Sequence, residues 1–236
     1  MPPVSRYEVL DDFAEWGIDA LVTTRAAGSF GTAGAEPIAD VMARWDALRA
    51  HLFHDPDAGR LATARQVHGV RVLAHEPGWE GWLRGPGADG HLALTRGTAL
   101  AVSIADCVPV FVAHASGAAA MLHSGWRGTE GNILGVAVRR LQAARIAATE
   151  LRVVLGPAIC GSCYEVSPDV YGRLTGRAVE APTTVDLRGI IAGQAAALGV
   201  SDVRTVEWCT RCDNDRFFSH RAGDPGRQLG VLLARA

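Results

Sequence analysis

Strands and helices mix along this 236-residue chain without regular βαβ alternation, a pattern that predicts an α+β fold. Three observations carry that expectation: short apolar runs crowd the middle of the chain, amphipathic helical runs flank them, and the breaks between strands are mostly of turn length. "IDALVTT" (18–24) reads as a strand leading into the Gly-rich "RAAGSFGTAG". In "IADVMARWDALRAHLF" (38–53), Val41, Trp45, Leu48 and Leu52 recur at helical spacing, so an amphipathic helix is expected. Four strands follow: "RVLAH" (71–75), "ALAVSIA" (99–105), "VPVFVAH" (108–114) and "AAAMLH" (118–123). "TEGNILGVAVRRLQAARI" (129–146) predicts one helix, with Thr129 as N-cap and Leu134, Ala137, Val138, Leu141 and Ala144 along one face. "ELRVVLGPAI" (150–159) predicts a strand, "LRGIIAGQAAALG" (187–199) a helix closing at a C-cap glycine, and "RQLGVLLARA" (227–236) a terminal strand.

At 48% hydrophobic residues the chain can bury a sizeable core, as one domain or two tightly merged ones. A net charge of −2 without long charge runs points away from nucleic acid and anionic membranes, and toward small-molecule chemistry. The acidic, interrupted start "MPPVSRYEVLDDFAEW" does not read as a signal peptide, and no apolar run reaches the ~18 residues of a membrane span, so a cytoplasmic protein is expected. Five cysteines, an odd number, argue for reduced thiols used as ligands or nucleophiles. All 23 basic residues are arginines, which excludes a Walker lysine, a Schiff-base lysine and a lysine general base. Any bound phosphate must meet arginine, backbone amide or metal.

Weaker motifs fall to context. "GPGADG" (85–90) has dinucleotide-binding spacing, but a Trp-Gly-rich loop precedes it and strand-like "HLALT" follows where a helix is required. His51 and His54 of "HLFH" lack the intervening glutamate of a zincin helix and read as surface residues. No two of the eight histidines make a His-x-His pair, which disfavours a multicopper oxidase. Cys160 with Cys163 and Cys209 with Cys212 form two C-x-x-C pairs that could close a structural zinc site. Their separation exceeds that of zinc ribbons and knuckles, so Cys160 and Cys212 are expected to be buried free thiols.

Three segments each set one soft ligand at a strand end beside small residues: "QVHG" (His68), "IADCVPV" (Cys107) and "MLHSGWRG" (His123). Two imidazoles and a thiolate leave one tetrahedral position of zinc open, the mark of a catalytic site. The same residues without metal form a cysteine nucleophile with a histidine base, and the residues alone leave both readings standing. Arg25, Arg127 and Arg221 lie beside glycines or small residues, where a guanidinium and backbone amides can approach one phosphate.

"TTR" (23–25), "QVHG" (66–69), "ADG" (88–90), "ADCVPV" (105–110), "HSGWRGT" (123–129), "GPAICGSCYEV" (156–166), "CT" (209–210), "FFSHR" (217–221) and "GRQ" (226–228) occur in the order found in one family. The chain resembles the laccase-domain, polyphenol-oxidase-like (YfiH-like) proteins, regarded as multifunctional purine nucleoside phosphorylases. The resemblance spans nearly the whole chain and implies one domain, 1–236, built of two packed mixed β-sheets flanked by helices in four α/β/β/α layers. It also implies zinc at His68, Cys107 and His123, with copper the lesser candidate. The implied chemistry is phosphorolysis of adenosine, inosine, guanosine and methylthioadenosine, with deamination of adenosine. Glu165 and Asp106 are the candidate proton carriers, but an extended 105–108 segment would turn Asp106 away from the Cys107 face. Ser124 and His220 depart from the family's alanine and tyrosine, and "SFGTAGAEPIAD" lacks its S-x-N-L segment, so that loop's contacts do not carry over. A metal-free cysteine hydrolase of peptidoglycan precursors, a polyphenol oxidase and a structural zinc-binding module are the competing functions.

Overall fold

The computed structural model describes residues 4–32 and 34–236; residues 1–3 at the start and Ala33 in the Gly-rich stretch lie outside the described residues. The first half holds β1 (Tyr7–Val9), β2 (Ile18–Thr23), α1 (Ile38–Leu52), β3 (Arg60–Ala64), β4 (Val72–Ala74), β5 (Gly81–Gly85), β6 (Gly90–Ala93) and β7 (Thr98–Ile104). Then come β8 (Val108–Ala113), β9 (Ala119–Ser124), α2 (Trp126–Glu130), α3 (Ile133–Ala143) and β10 (Arg152–Leu155). The chain ends with β11 (Glu165–Val166), α4 (Pro168–Thr175), β12 (Thr183–Thr184), α5 (Leu187–Ala197), β13 (Asp202–Thr205) and β14 (Gln228–Ala234). No helix among the described residues is long and apolar enough to cross a membrane.

Two six-stranded mixed sheets result, ordered β1-β2-β14-β7-β3-β5 and β13-β10-β8-β9-β6-β4. Their facing sides bury Ala20, Val22, Leu100, Val102 and Leu232 of the first against Phe111, Met121 and Val154 of the second. Strand alternation sends the other residues outward. Leu21, Ala99, Val231 and Leu233 meet Val41, Trp45, Leu48 and Leu52, the whole predicted face of α1. Val108, Val110, Val112 and Leu122 meet Leu134, Ala137, Val138 and Leu141 of α3, and Leu187 and Ile191 of α5. The layers therefore stack α/β/β/α, as expected, and β8, β9 and β14 are buried along their whole length because both of their faces are covered.

The region expected as one helix over 129–146 is two. Thr129 is not an N-cap: it is buried inside α2, with its hydroxyl 2.9 Å from that of Ser124 and its carbonyl accepting from Gln194 Nε2 at 2.7 Å. The cap of α3 is Asn132, in the left-handed region at φ 54°, whose side chain accepts from the Gly135 amide at 2.8 Å. The end of α5 matches its expected glycine signal: Gly199 has φ +86°, and the amides of Gly199 and Val200 return to the carbonyls of Ala196 and Ala195. "GPGADG" joins β5 to β6, so a strand rather than a loop precedes it, and a second strand rather than a helix follows.

The registers gather the chemistry on one edge of the second sheet. Val108 at the start of β8 pairs with Ser124 at the end of β9, and Gly90 at the start of β6 pairs with Leu122. Leu155, ending β10, pairs with Val110 and with Thr205, which ends the parallel strand β13. The segments around Asp89, Cys107, His123, Cys160 and Cys209 thus all leave the sheet on the same side.

Replacing Asn132 by alanine removes the cap and strains a left-handed position, and the two effects together are expected to cost about 2 kcal/mol. Glycine, tolerant of that conformation, is expected to cost well under half as much. Urea unfolding of both variants checks this, and equal losses would contradict it.

Candidate active site

Cys107 ends the tight turn between β7 and β8. The turn is made by Asp106 at φ 84°, not by extended backbone, and this aims the two side chains apart. The Asp106 carboxylate, 7% exposed, accepts the Thr210 hydroxyl at 2.6 Å and the Arg221 amide at 2.7 Å, while its carbonyl accepts the Ile159 amide at 3.0 Å. Asp106 is therefore a strut, in keeping with the expectation that it does not share the Cys107 face.

His123 lies within β9 opposite Pro109 and is 3% exposed. His68 lies not at a strand end but in the loop four residues beyond β3, in the left-handed region at φ 58°. Its ring and that of His123 stand nearly perpendicular, centroids 4.9 Å apart. The ligand atoms of His68, Cys107 and His123 all lie within 4.8 Å of one another. Glycine at position 125 makes this approach possible, since a Cβ there would sit 2.8 Å from the Cys107 sulfur.

Behind these three residues stands Asp89, fully buried; the sequence placed it in the resemblance segment "ADG" (88–90) but gave it no role. Its carboxylate accepts the consecutive amides of Val67, His68 and Gly69 at 3.1, 2.9 and 2.7 Å, and lies 2.9 Å from His123 Nδ1. Its carbonyl accepts the His123 amide at 2.7 Å. Burial works to raise its pKa, but the hydrogen bonds from His123, Gly69 and Val67 outweigh it and hold the carboxyl below its usual range. With Nδ1 bonded to Asp89, His123 presents Nε2 to the cluster. Its role follows from the β6–β9 pairing, which the local sequence does not specify.

The electrostatics pair thiol and imidazole. Burial pushes the Cys107 thiol up, but the charge and hydrogen bond of His123 and the hydrogen bond of His68 more than compensate, bringing it down to about 6. Burial likewise opposes charge on His123, yet Cys107 and Asp89 raise it to about 9. Between those values the metal-free protein holds a thiolate beside an imidazolium.

The flanking wall is Tyr164, half-buried and pushed up to about 12 by burial first and then by the negative charge of Cys107. Arg221 and Arg127 act on the same hydroxyl in the opposite sense. The Arg221 guanidinium lies 5.2 Å from the Tyr164 ring centroid and donates to the Glu165 carbonyl at 2.9 Å. Arg127 lies over Trp126 at 4.3 Å. Glu165 is exposed in β11 and His220 is exposed. Arg25 is placed differently: it pairs with Asp224, donates to the carbonyls of Asn214 and Phe217, and lines a cavity of about 460 Å³ with Phe218 and Arg44.

The expectation of buried free thiols at Cys160 and Cys212 is corrected. Cys212 is exposed, Cys160 is partly exposed, and the sulfurs of Cys160, Cys163, Cys209 and Cys212 all lie within 4.8 Å of one another. The long gap in sequence closes because β10 and β13 are parallel neighbours whose following loops run side by side. His51 and His54 are exposed, as expected.

Residues 15–235 match the family described as multi-copper polyphenol oxidoreductase laccase. A relative from Streptomyces griseus, purine nucleoside phosphorylase ORF3, is 33% identical over 213 residues, covering 86% of this chain and 84% of its own. Adenosine deaminase RL5, from an unknown prokaryotic organism, is 31% identical over 199 residues, covering 76% and 74%. The crystal structure of YlmD from Geobacillus stearothermophilus superimposes with a TM-score of 0.83 at 28% identity, covering 93% of each chain.

In metal-free protein, alkylation of Cys107 should follow a midpoint near pH 6, because the reactive thiolate persists until its low pKa is crossed from above. Iodoacetamide labelling across pH, read on the Cys107 peptide by mass spectrometry, measures this. A midpoint in the ordinary thiol range, near ~8.5, would contradict the pairing.

Proposed function

The chain belongs to the multi-copper polyphenol oxidoreductase laccase family, and on that premise we propose that it is a zinc-dependent purine nucleoside phosphorylase that also deaminates adenosine. It is an enzyme, as the relatives named for these two activities indicate. The observation that carries the finer reading is the meeting of His68, Cys107 and His123 in front of Asp89. Two imidazoles, one thiolate and a carboxylate that fixes an imidazole tautomer suit zinc with an open position. Multicopper chemistry requires further histidine sets. Among the described residues the one other convergent group of three or more possible ligands consists of four cysteines.

Phosphorolysis of adenosine, inosine, guanosine or methylthioadenosine requires phosphate in line with the ribose C1′ and a stabilised leaving base. In this reading Arg127 and Arg221 take the phosphate, the fork of each guanidinium matching its oxygens. Tyr164 keeps its proton across the neutral range, so it donates a hydrogen bond without placing negative charge beside the anion. Arg25 acts through the chain rather than on the ligand: its bonds to Asn214, Phe217 and Asp224 hold the loop that carries Arg221. Asp89 keeps His123 oriented, and Gly125 keeps the approach to Cys107 open. A zinc ion held at the cluster supplies Lewis acidity and acidifies water, the chemistry that deamination at C6 of adenine requires.

The paired shifts of Cys107 and His123 favour a second reading, a metal-free cysteine nucleophile. Zinc analysis separates the two: the first reading expects His68→Ala and Cys107→Ala each to bind one zinc fewer per chain than the wild-type protein and to lose turnover with it.

Purified protein with adenosine and phosphate is expected to release adenine and ribose 1-phosphate, with inosine as a second product, followed by chromatography. Zinc-loaded protein inactive in both channels would overturn the proposal. Arg127→Ala and Arg221→Ala should raise the KM for phosphate roughly ten- to hundredfold, the worth of a lost charged hydrogen bond, while leaving zinc content unchanged.

A further inference from the structure

We propose that Cys160, Cys163, Cys209 and Cys212 form a second metal site, a closed tetrathiolate zinc clip on the edge of the sheet beside the active site. Four sulfurs within 4.8 Å of one another match the spacing required around one ion, since Zn–S bonds of about 2.3 Å put tetrahedral sulfurs about 3.8 Å apart. Cys163 and Cys212 already stand at 3.5 Å. With four protein ligands the coordination is complete, so the site has a structural role.

The backbone is arranged for thiolates. Each C-x-x-C is bent into a tight turn: the amides of Cys163 and Tyr164 return to the Cys160 carbonyl, and that of Asp213 to the Cys209 carbonyl. The amides of Cys160 and Cys212 both point at the Cys209 sulfur, at 3.3 and 3.4 Å, from opposite loops. Two N–H donors converging on one buried sulfur stabilise negative charge there. Binding releases the thiol protons and leaves two negative charges on the centre, with Arg211 close by, bonded to the Cys163 carbonyl.

The clip joins the loop after β10 to the loop after β13, where Ala158 and Cys209 form an isolated parallel bridge. Thr210, next to Cys209, donates to the Asp106 carboxylate that sets the Cys107 turn. Tyr164, next to Cys163, is the wall of the active site. The metal therefore fixes two loops on which the catalytic geometry leans, but its presence is argued from the sulfurs and does not rest on the reaction proposed above.

The test is zinc content in a His68→Ala/His123→Ala protein, purified with zinc present and without reductant, together with thiol titration after unfolding in chelator. The proposal expects one tightly held zinc per chain in this double variant, all five cysteines titrating as free thiols, and an intense thiolate-to-metal absorption when cobalt replaces zinc. Adding Cys163→Ser and Cys212→Ser should abolish the zinc. Absence of zinc from the His68→Ala/His123→Ala protein, or fewer than five thiols because pairs have oxidised to disulfides, would overturn it. A wild-type enzyme inactive with adenosine and phosphate, alongside a His68→Ala/His123→Ala protein that keeps its zinc, would sink the proposed reaction and leave the clip standing.

Discussion

The site depends on one buried negative charge. The Asp89 carboxylate has no solvent to hydrate it, and a carboxylate in that position is tolerable only if its oxygens are bonded. They are bonded by three consecutive amides and one imidazole, contributed by the 67–69 loop and by β9. That set of bonds makes His68 adopt a left-handed backbone and makes His123 present one particular nitrogen. Satisfying the charge and placing two of the three cluster residues are the same event.

Asp106 does the corresponding work on the other side of Cys107. Its carboxylate ties together residues 106, 210 and 221, and its positive φ turns the chain so that Cys107 faces His123 while Asp106 faces the loops. Two acidic residues, each one or two positions from a cluster residue or its strand partner, thus act as internal braces. Neither competes with the thiol and imidazoles for a ligand. Edge loops of a sheet are ordinarily its most mobile part, and these bonds, together with Arg25 holding the 214–224 loop, are what make an edge rigid enough to carry a site.

Much of this was legible in the residues. The α1 stripe of Val41, Trp45, Leu48 and Leu52 faced the core as its spacing required, because a helix packed on a sheet buries one face. His68, Cys107 and His123 stood out as soft ligands beside small residues, and they do converge. What stayed hidden was set by register and topology. Asp89 reads as a turn residue until β6 pairs with β9, and the distance between the C-x-x-C pairs looks prohibitive until β10 and β13 lie parallel. Thr129 looked like a cap because a hydroxyl ahead of a helical run ordinarily caps it, but here a tertiary partner, Ser124, takes the hydroxyl and Asn132 does the capping. The layered arrangement of two sheets came from the family resemblance, since local periodicity does not specify which strands become neighbours.

The most direct measurement of the role given to Asp89 is the zinc affinity of the His68–Cys107–His123 cluster in an Asp89→Asn protein, by competition with a chromogenic chelator. Asparagine keeps one acceptor oxygen, so its NH2 must face either the Val67 and Gly69 amides or the His68 amide and the His123 Nδ1–H, donor against donor. Affinity is expected to weaken roughly ten- to hundredfold, with the fold intact by circular dichroism. Affinity equal to that of the wild-type protein would contradict it.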